Sequence, residues 1–203
     1  MREGILGGSF DPIHNGHLYV AGECLRRLAL DRVLLMPARV PPHKRNVPLA
    51  DARHRLEMVK LAVADTPKLE VSDAELNRTG PSYTVDTVSA ELERLGEDAE
   101  VFFLMGADQA LELDTWHNVR ELARMCTLVP IARADFPLER LDGLKAKLPE
   151  EVVERLKSAA LDIPPVAVSS TEVRRRVRRG EDVSELVPAA VERYIRLHGL
   201  YRD

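Results

Sequence analysis

The sequence predicts an α/β fold built on a doubly wound, mostly parallel sheet. Short apolar runs alternate along the chain with segments whose apolar residues recur at helical spacing. One run, Val101–Met105, is apolar throughout, which is typical of a central parallel strand covered by helices on both faces. Glycine, proline and polar residues separate these segments, and no separator is long enough to divide the chain. We therefore expect a single domain over residues 1–203.

The first half of the chain is predicted to alternate strand and helix three times. In order, the segments are 4–6, 18–28, 32–36, 51–63, 69–71 and 85–95. Asp51 is a residue type that caps helix N-termini, and Gly96 is typical of a helix stop. A Pro-rich loop over residues 38–49 joins the second strand to the second helix.

The second half is predicted to continue this alternation. Its strands are expected at 100–105, 126–131 and 166–168, and its main helices at 150–160, 170–179 and 188–198. Asn118 is a candidate cap for a further short helix, and Ser169 and Glu172 have capping-box spacing. The least informative stretch, 134–162, is expected to add peripheral elements to the domain.

Composition excludes several function classes. The 33 acidic and 29 basic residues give a net charge of −4, which argues against a general nucleic-acid binder. No apolar run reaches the roughly 18 residues of a membrane span, and the first residues do not resemble a signal peptide. Two cysteines without a Cys-x-x-Cys pair indicate neither a disulfide framework nor a zinc site. We therefore expect a cytoplasmic protein with no membrane partner.

The crossing from the first strand to the first helix is the leading candidate ligand site. Gly7 and Gly8 allow a ligand to approach the backbone closely, and the helix start offers unpaired N–H groups that suit phosphate. His14 and His17 lie where that helix begins. The alternative is a glycine-rich turn whose histidines only cap the helix.

Two other segments are expected at the same edge of the sheet, Gly106–Asp108 and Ser169–Arg174. With the two histidines and a loop lysine, Lys44, they would form a site for a polyphosphate such as an NTP. The second of these segments is expected to begin a helix that contains several arginines, and only Arg174 lies in its first turn. Asp108 could instead be a helix cap, Lys44 a surface lysine and Trp116 a core residue.

The stretch Gly-Ser-Phe-Asp-Pro-Ile-His-Asn-Gly-His, residues 8–17, resembles the signature of nucleotidyltransferases. Further segments resemble bacterial nicotinate-mononucleotide adenylyltransferases and follow that family's order: 41–44, 80–87, 106–108, 115–116 and 169–174. The resemblance extends from the first strand to the last. The chain departs from the family at His117, where a tyrosine is frequent, and at Ala134-Asp135, where Pro-Gly is frequent.

This resemblance implies a Rossmann-like nucleotidyltransferase fold and a reaction between ATP and nicotinate mononucleotide that gives nicotinate adenine dinucleotide and pyrophosphate. It implies His14, His17 and Arg174 as the catalytic residues that hold the ATP phosphates. Further ATP contacts would come from Gly8, Ser9, Phe10, Lys44, Gly106, Asp108, Ser169, Ser170 and Thr171. Tyr83, Thr84 and Trp116 would hold the mononucleotide. Mg²⁺ would arrive bound to ATP, with no protein metal site.

Other functions remain open from the residues alone. Pantetheine-phosphate adenylyltransferase shares the first and last motifs, but it is shorter and lacks the Gly-Ala-Asp and Trp region. A preference for nicotinamide mononucleotide is a second alternative. A class I aminoacyl-tRNA synthetase fragment would need a Lys-Met-Ser-Lys-Ser loop, which this sequence lacks. The non-enzyme alternative is a regulatory nucleotide-binding module. The sequence leaves the oligomeric state undetermined.

Overall fold

A six-stranded parallel sheet lies at the centre of the protein. The computed structural model describes residues 1–39, 49–132 and 136–202. Its strands are β1 (Arg2–Gly8), β2 (Arg32–Pro37), β3 (Leu69–Val71), β4 (Glu100–Gly106), β5 (Thr127–Ala132) and β6 (Leu161–Asp162). The strand order is β3-β2-β1-β4-β5-β6, and every pairing described is parallel. The predicted doubly wound, mostly parallel sheet is thus confirmed.

Helices cover both faces of this sheet. The described residues form α1 (Asn15–Arg27), α2 (Ala52–Val63), α3 (Ala74–Asn77), α4 (Thr84–Leu95), α5 (Ala107–Ala110), α6 (Val119–Met125), α7 (Glu150–Ala159), α8 (Ser170–Arg179) and α9 (Ala189–Leu197). Two 3-10 segments, Leu113–Thr115 and Leu138–Ala146, precede α6 and α7.

The apolar core divides into one cluster on each face of the sheet. Successive residues of β4 alternate between them: Phe102 and Leu104 belong to the cluster beneath α1, α2, α8 and α9, and Phe103 and Met105 to the cluster beneath α4, α6 and α7. Adjacent side chains of a strand point to opposite faces, so a strand covered on both sides must be apolar at every position. This explains the unbroken apolar run in β4.

Most of the predicted helix ends are confirmed. The Asp51 carboxylate accepts a hydrogen bond from the Arg53 amide at 2.8 Å, and the Ser169 hydroxyl accepts one from the Glu172 amide at 3.2 Å. Gly96 ends α4 with a φ of 87°, a left-handed value that favours glycine. Asn118 occupies the position before α6, but its side chain makes no capping hydrogen bond.

The last strand differs from the prediction. It is Leu161–Asp162, which pairs with Ile131 and Ala132, whereas residues 166–168 lie outside the sheet. Pro164 and Pro165 precede the predicted strand and cannot donate backbone hydrogen bonds to a neighbouring strand.

Residues 136–162 contain the 3-10 segment Leu138–Ala146, α7 and β6. The side chains of Leu141 and Val153 are fully buried in the core beneath α7. The amphipathic pattern of α7 is explained by its packing on β5, because the apolar face of the helix is turned toward the core.

The close packing around β1 gives a stability prediction. A methyl group added at Gly4 would lie 2.7 Å from Leu30 Cδ1 and 3.1 Å from Val33 Cγ2, both in buried side chains. We expect Gly4→Ala to lower the free energy of unfolding by about 1–3 kcal/mol in urea denaturation. The matched control is Gly22→Ala inside α1, where nothing lies within 4 Å of the added methyl group. That change should raise stability by about 0.5–1 kcal/mol, and a Gly4→Ala protein as stable as the Gly22→Ala protein would contradict the prediction.

Candidate functional site

Two adjoining cavities open at the carboxyl ends of β1 and β4. The smaller, about 330 Å³, is called here the tyrosine–tryptophan cavity because Tyr83 and Trp116 line it. The larger, about 460 Å³, is called the histidine cavity because His14 and His17 line it. Both are lined by Gly7, Gly8, Ser9 and Gln109. The strand order reverses between β1 and β4, the point at which open α/β sheets bind ligands.

The turn between β1 and α1, residues 9–14, is held from distant parts of the chain. The Arg55 guanidinium donates to the Ser9 carbonyl at 2.7 Å, and the Ser170 hydroxyl donates to the Pro12 carbonyl at 2.9 Å. Arg174 donates to the Asp11 carbonyl at 2.6 Å. Each acceptor is a backbone oxygen, so these bonds determine the path of the main chain rather than the identity of a side chain.

The two histidines form a stacked pair at the start of α1. Their ring centroids lie 3.7 Å apart, and the His14 amide donates to His17 Nδ1 at 3.3 Å. Because Nδ1 accepts this bond, a neutral His17 carries its ring proton on Nε2. A methyl group at Gly16 would lie 3.1 Å from His14 Nδ1 and 2.9 Å from Val168 Cγ1. Glycine at this position therefore permits the close packing of the His14 ring.

Burial determines the charge of His14. Its side chain is 7% exposed, and desolvation lowers its pKa from 6.5 to about 4, partly opposed by a backbone hydrogen bond that raises the pKa. His14 is therefore neutral at pH 7, and His14 Nδ1 has no hydrogen-bond partner among the described residues. A neutral imidazole at a helix N-terminus can donate one N–H to an anionic oxygen without adding a full positive charge.

The other wall of the histidine cavity comes from the end of β4 and the start of α8. Gly106, Asp108 and Ser169 line it, as the sequence predicted for this edge of the sheet. The Gly106 amide donates to Gln109 Oε1 at 3.0 Å. A methyl group at Gly106 would collide with Asp108 Oδ1, so glycine here leaves room for that exposed carboxylate.

Four predicted site residues support the cavity rather than line it. Phe10 is 1% exposed, and its ring meets the His17 ring edge-on at 5.0 Å. Ser170 and Arg174 bind the turn, and Thr171 Oγ1 accepts a bond of 3.4 Å from Arg174 Nη2. Lys44 lies outside the described residues.

The tyrosine–tryptophan cavity has aromatic walls. Tyr83 and Thr84 enter it from the N-terminus of α4, and Trp116 enters from the end of a 3-10 segment. The Tyr83 and His117 rings are stacked with their centroids 4.3 Å apart. The Trp116 ring contacts Phe103 edge-on at 5.8 Å. Flat aromatic walls of this kind suit a planar ring as ligand.

Sequence reasoning assigned no site role to several residues that line this cavity. Glu75, Ser82, Gln109, Thr115 and His117 all contribute to it. Glu75 is only 7% exposed, and burial raises the pKa of its carboxyl group while a hydrogen bond from Thr87 opposes the rise. Glu75 lies on a four-residue helix without a recognisable motif, whereas Gln109 and His117 directly follow motif residues and could have been found by proximity.

Together the two cavities can hold two nucleotides that react with each other. The histidine cavity offers a helix N-terminus and ring N–H groups for phosphates, and a carboxylate that can bind hydroxyl groups. The adjoining cavity offers aromatic walls for a second ring. The two cavities meet at their common lining, Gly7–Ser9.

Comparisons with known proteins agree with this arrangement. A family model described as cytidylyltransferase-like matches residues 5–176. A protein of Thermus thermophilus named "probable nicotinate-nucleotide adenylyltransferase" is 48% identical over 202 residues, which cover 100% of each chain. A protein of the same name from Moorella thermoacetica is 43% identical over 99% of this chain and 92% of its own length.

Solved structures show the same fold at lower sequence identity. A nicotinic acid mononucleotide adenylyltransferase of Plasmodium falciparum, complexed with NaAD, has a TM-score of 0.76 at 20% identity. The match covers 98% of this chain and 97% of that one.

Within residues 1–39, 49–132 and 136–202, no helix is both long and apolar enough to cross a membrane. The same ranges contain no group of three or more His, Cys, Asp or Glu side chains placed to bind a metal ion.

The lowered pKa of His14 predicts a dependence of stability on pH. In the unfolded chain the His14 imidazole binds a proton below pH 6.5, whereas in the folded protein it does so only below about pH 4. Protonation therefore favours the unfolded state between these values. The contribution of neutral His14 to the free energy of unfolding is fully present above pH 6.5 and is lost toward pH 4. Between pH 7 and pH 5 the wild type should lose about 2 kcal/mol more of its free energy of unfolding than His14→Gln. Urea denaturation of both proteins at the two pH values measures this difference, and equal losses would contradict the buried neutral state.

Proposed function

Since this chain belongs to the cytidylyltransferase-like family and its close relatives are named nicotinate-nucleotide adenylyltransferases, we propose that it transfers the adenylyl group of ATP to nicotinate mononucleotide. The observation that carries this proposal is the pair of cavities that share the Gly7–Ser9 segment. The products are nicotinate adenine dinucleotide and pyrophosphate, as expected for an enzyme of NAD biosynthesis.

The reaction is a single displacement at phosphorus. A phosphate oxygen of the mononucleotide attacks the α-phosphorus of ATP, and the bond from that phosphorus to the oxygen bridging the α- and β-phosphates breaks. Pyrophosphate leaves with the bond's electron pair. The attacking group is already an anion, so catalysis requires mainly alignment and stabilisation of charge. Burial raises the pKa of Cys24 and Cys126 to about 12, so neither thiol supplies a protein nucleophile.

ATP is assigned to the histidine cavity. The N-terminus of α1 with His14 and His17 supports binding of its phosphates, and the exposed Asp108 carboxylate suits the ribose hydroxyl groups. Arg174 adds positive charge beside the turn that leads into α1, and we propose that its guanidinium assists binding of the ATP phosphates. Mg²⁺ enters as the complex with ATP, because this ion keeps several of its waters and binds through substrate phosphates.

Nicotinate mononucleotide is assigned to the tyrosine–tryptophan cavity. The pyridine ring can stack on Trp116, and the free N–H groups at the start of α4 can receive the nicotinate carboxylate.

The reaction takes place in the cytoplasm. The free, buried cysteines Cys24 and Cys126 are compatible with a reducing compartment.

The first test compares residues inside and outside the histidine cavity. His17→Ala should reduce pyrophosphate release in the presence of ATP, Mg²⁺ and nicotinate mononucleotide by at least about a hundredfold, because it removes an N–H donor to the phosphates. Arg174→Ala should lower kcat/KM for ATP about tenfold to a hundredfold, the effect of losing one charge-assisted bond.

The control is Arg179→Ala, which alters a 62% exposed side chain in the last turn of the same helix. It should leave the kinetics unchanged, and the circular dichroism spectra of all the variants should match that of the wild type. If the Arg174 and Arg179 variants lose activity equally, α8 acts as a general basic surface and the assignment of Arg174 is wrong.

The second test concerns the choice between the acid and the amide. Nicotinate mononucleotide should have a higher kcat/KM than nicotinamide mononucleotide, because the N-terminus of α4 favours an anion. Burial raises the pKa of Glu75, which is a shift toward the neutral form that does not repel a carboxylate in this cavity. Glu75→Gln should therefore keep the preference for the acid or increase it. A preference for the amide in the wild type would contradict the proposed substrate.

A further inference from the structure

A buried carboxylate lies in the turn between β1 and α1, and the proposed reaction does not explain its role. Asp11 is 1% exposed, and its Oδ1 accepts hydrogen bonds from the Ala50 amide at 3.2 Å and the Tyr201 hydroxyl at 2.7 Å. Its Oδ2 has no hydrogen-bond partner among the described residues. A buried charge is costly unless its partners compensate it, so the bond from Tyr201 has a large effect on where this carboxylate lies.

Tyr201 is well suited to hold this carboxylate. Its backbone has a φ of 63°, an uncommon value for a tyrosine, and it follows Gly199, which also has a positive φ of 60°. Burial, and secondarily the negative charge of Asp11, raise the pKa of the Tyr201 phenol far above its ordinary value. The phenol therefore keeps its proton at physiological pH and donates it to Asp11.

The Asp11 carboxylate is close to Arg174 without forming a hydrogen bond with it. Arg174 Nη1 donates to the Asp11 backbone carbonyl at 2.6 Å, whereas its distance to Asp11 Oδ2 is 3.8 Å. This distance is that of a loose ion pair, and rotation of the carboxylate toward Arg174 would shorten it to a direct, charge-assisted hydrogen bond, which is among the strongest polar contacts in proteins. The bond from Tyr201 to Oδ1 opposes that rotation.

We infer that Tyr201 is a positioning residue of the nucleotide site, which holds the Asp11 carboxylate away from Arg174 and so leaves the Arg174 guanidinium available to the triphosphate. The inference rests on the proposed function, because it assumes that Arg174 assists ATP. Neither Tyr201 nor Asp11 lines either cavity. An effect of Tyr201 on ATP must therefore pass through the turn and Arg174.

The variant Tyr201→Phe removes only the hydroxyl group. We expect the KM for ATP to rise about tenfold, because Asp11 then competes with the triphosphate for Arg174. The KM for nicotinate mononucleotide should change less than twofold, since the tyrosine–tryptophan cavity lies apart from this network. Equal changes in the two KM values, or no change in that for ATP, would overturn the inference.

Tyr194→Phe is the matched control. Tyr194 lies on α9, and its hydroxyl group is 2.9 Å from His54 Nδ1, outside both cavities. This variant also loses one tyrosine hydrogen bond, so it reports the general effect of such a loss on thermal stability and on both KM values. Its KM for ATP should remain that of the wild type. A rise equal to that of Tyr201→Phe would show a general loss of structure and overturn the inference.

A second variant pair tests the route through Arg174. In the Arg174→Ala background, Tyr201→Phe should cause no further loss in kcat/KM for ATP, because no guanidinium remains for Asp11 to bind. Fully additive losses would overturn the inference.

If the wild type forms no dinucleotide, the proposed function fails. ATP affinity from titration calorimetry then decides the role of Tyr201: a roughly tenfold weaker Kd in Tyr201→Phe supports it, and an unchanged Kd overturns it.

Discussion

The site depends on hydrogen bonds that hold a short turn from outside. The carbonyl oxygens of Ser9, Asp11 and Pro12 accept bonds from Arg55, Arg174 and Ser170, which lie 46 to 163 positions away along the chain. Backbone carbonyls shielded from water need hydrogen-bond donors, and these three receive them from other elements of the fold. These donors fix the start of α1, and with it the His14 and His17 rings. The site is therefore assembled only when α2 and α8 pack on the same face of the sheet.

The sheet then separates two binding environments at one edge. β1 ends in glycines. From β1 the chain adds β2 and β3 on one side of the sheet and then β4, β5 and β6 on the other, so the strand order reverses between β1 and β4. On one side lie a helix start and two imidazoles, and on the other lie aromatic rings with a buried carboxyl group. A polyphosphate and a planar ring need different surroundings, and the division of the sheet provides both within reach of the Gly7–Ser9 backbone.

Burial shapes the chemistry of this edge as much as residue type does. Desolvation lowers the pKa of His14 and raises that of Glu75, so each group is shifted toward its neutral form. The neutral His14 imidazole is a hydrogen-bond donor rather than a cation, and the shift at Glu75 is in the direction that lowers its repulsion of an anionic ligand. Neither effect has a signature in the order of residues, because both depend on how much water reaches the group.

Sequence patterns were enough to predict the α/β class, five of the six strands in the described part of the chain, and the main helix ends. Periodicity and capping are local properties, which is why Asp51 and Ser169 were identified as caps. Local motifs also located His14, His17, Gly106 and Trp116 in the two cavities. The folded structure was needed to show that Arg174 and Ser170 hold a turn, that Glu75 and His117 line a cavity, and that Tyr201 reaches Asp11. Such contacts join residues far apart in the chain, and no local pattern records which distant residue the folded chain brings alongside.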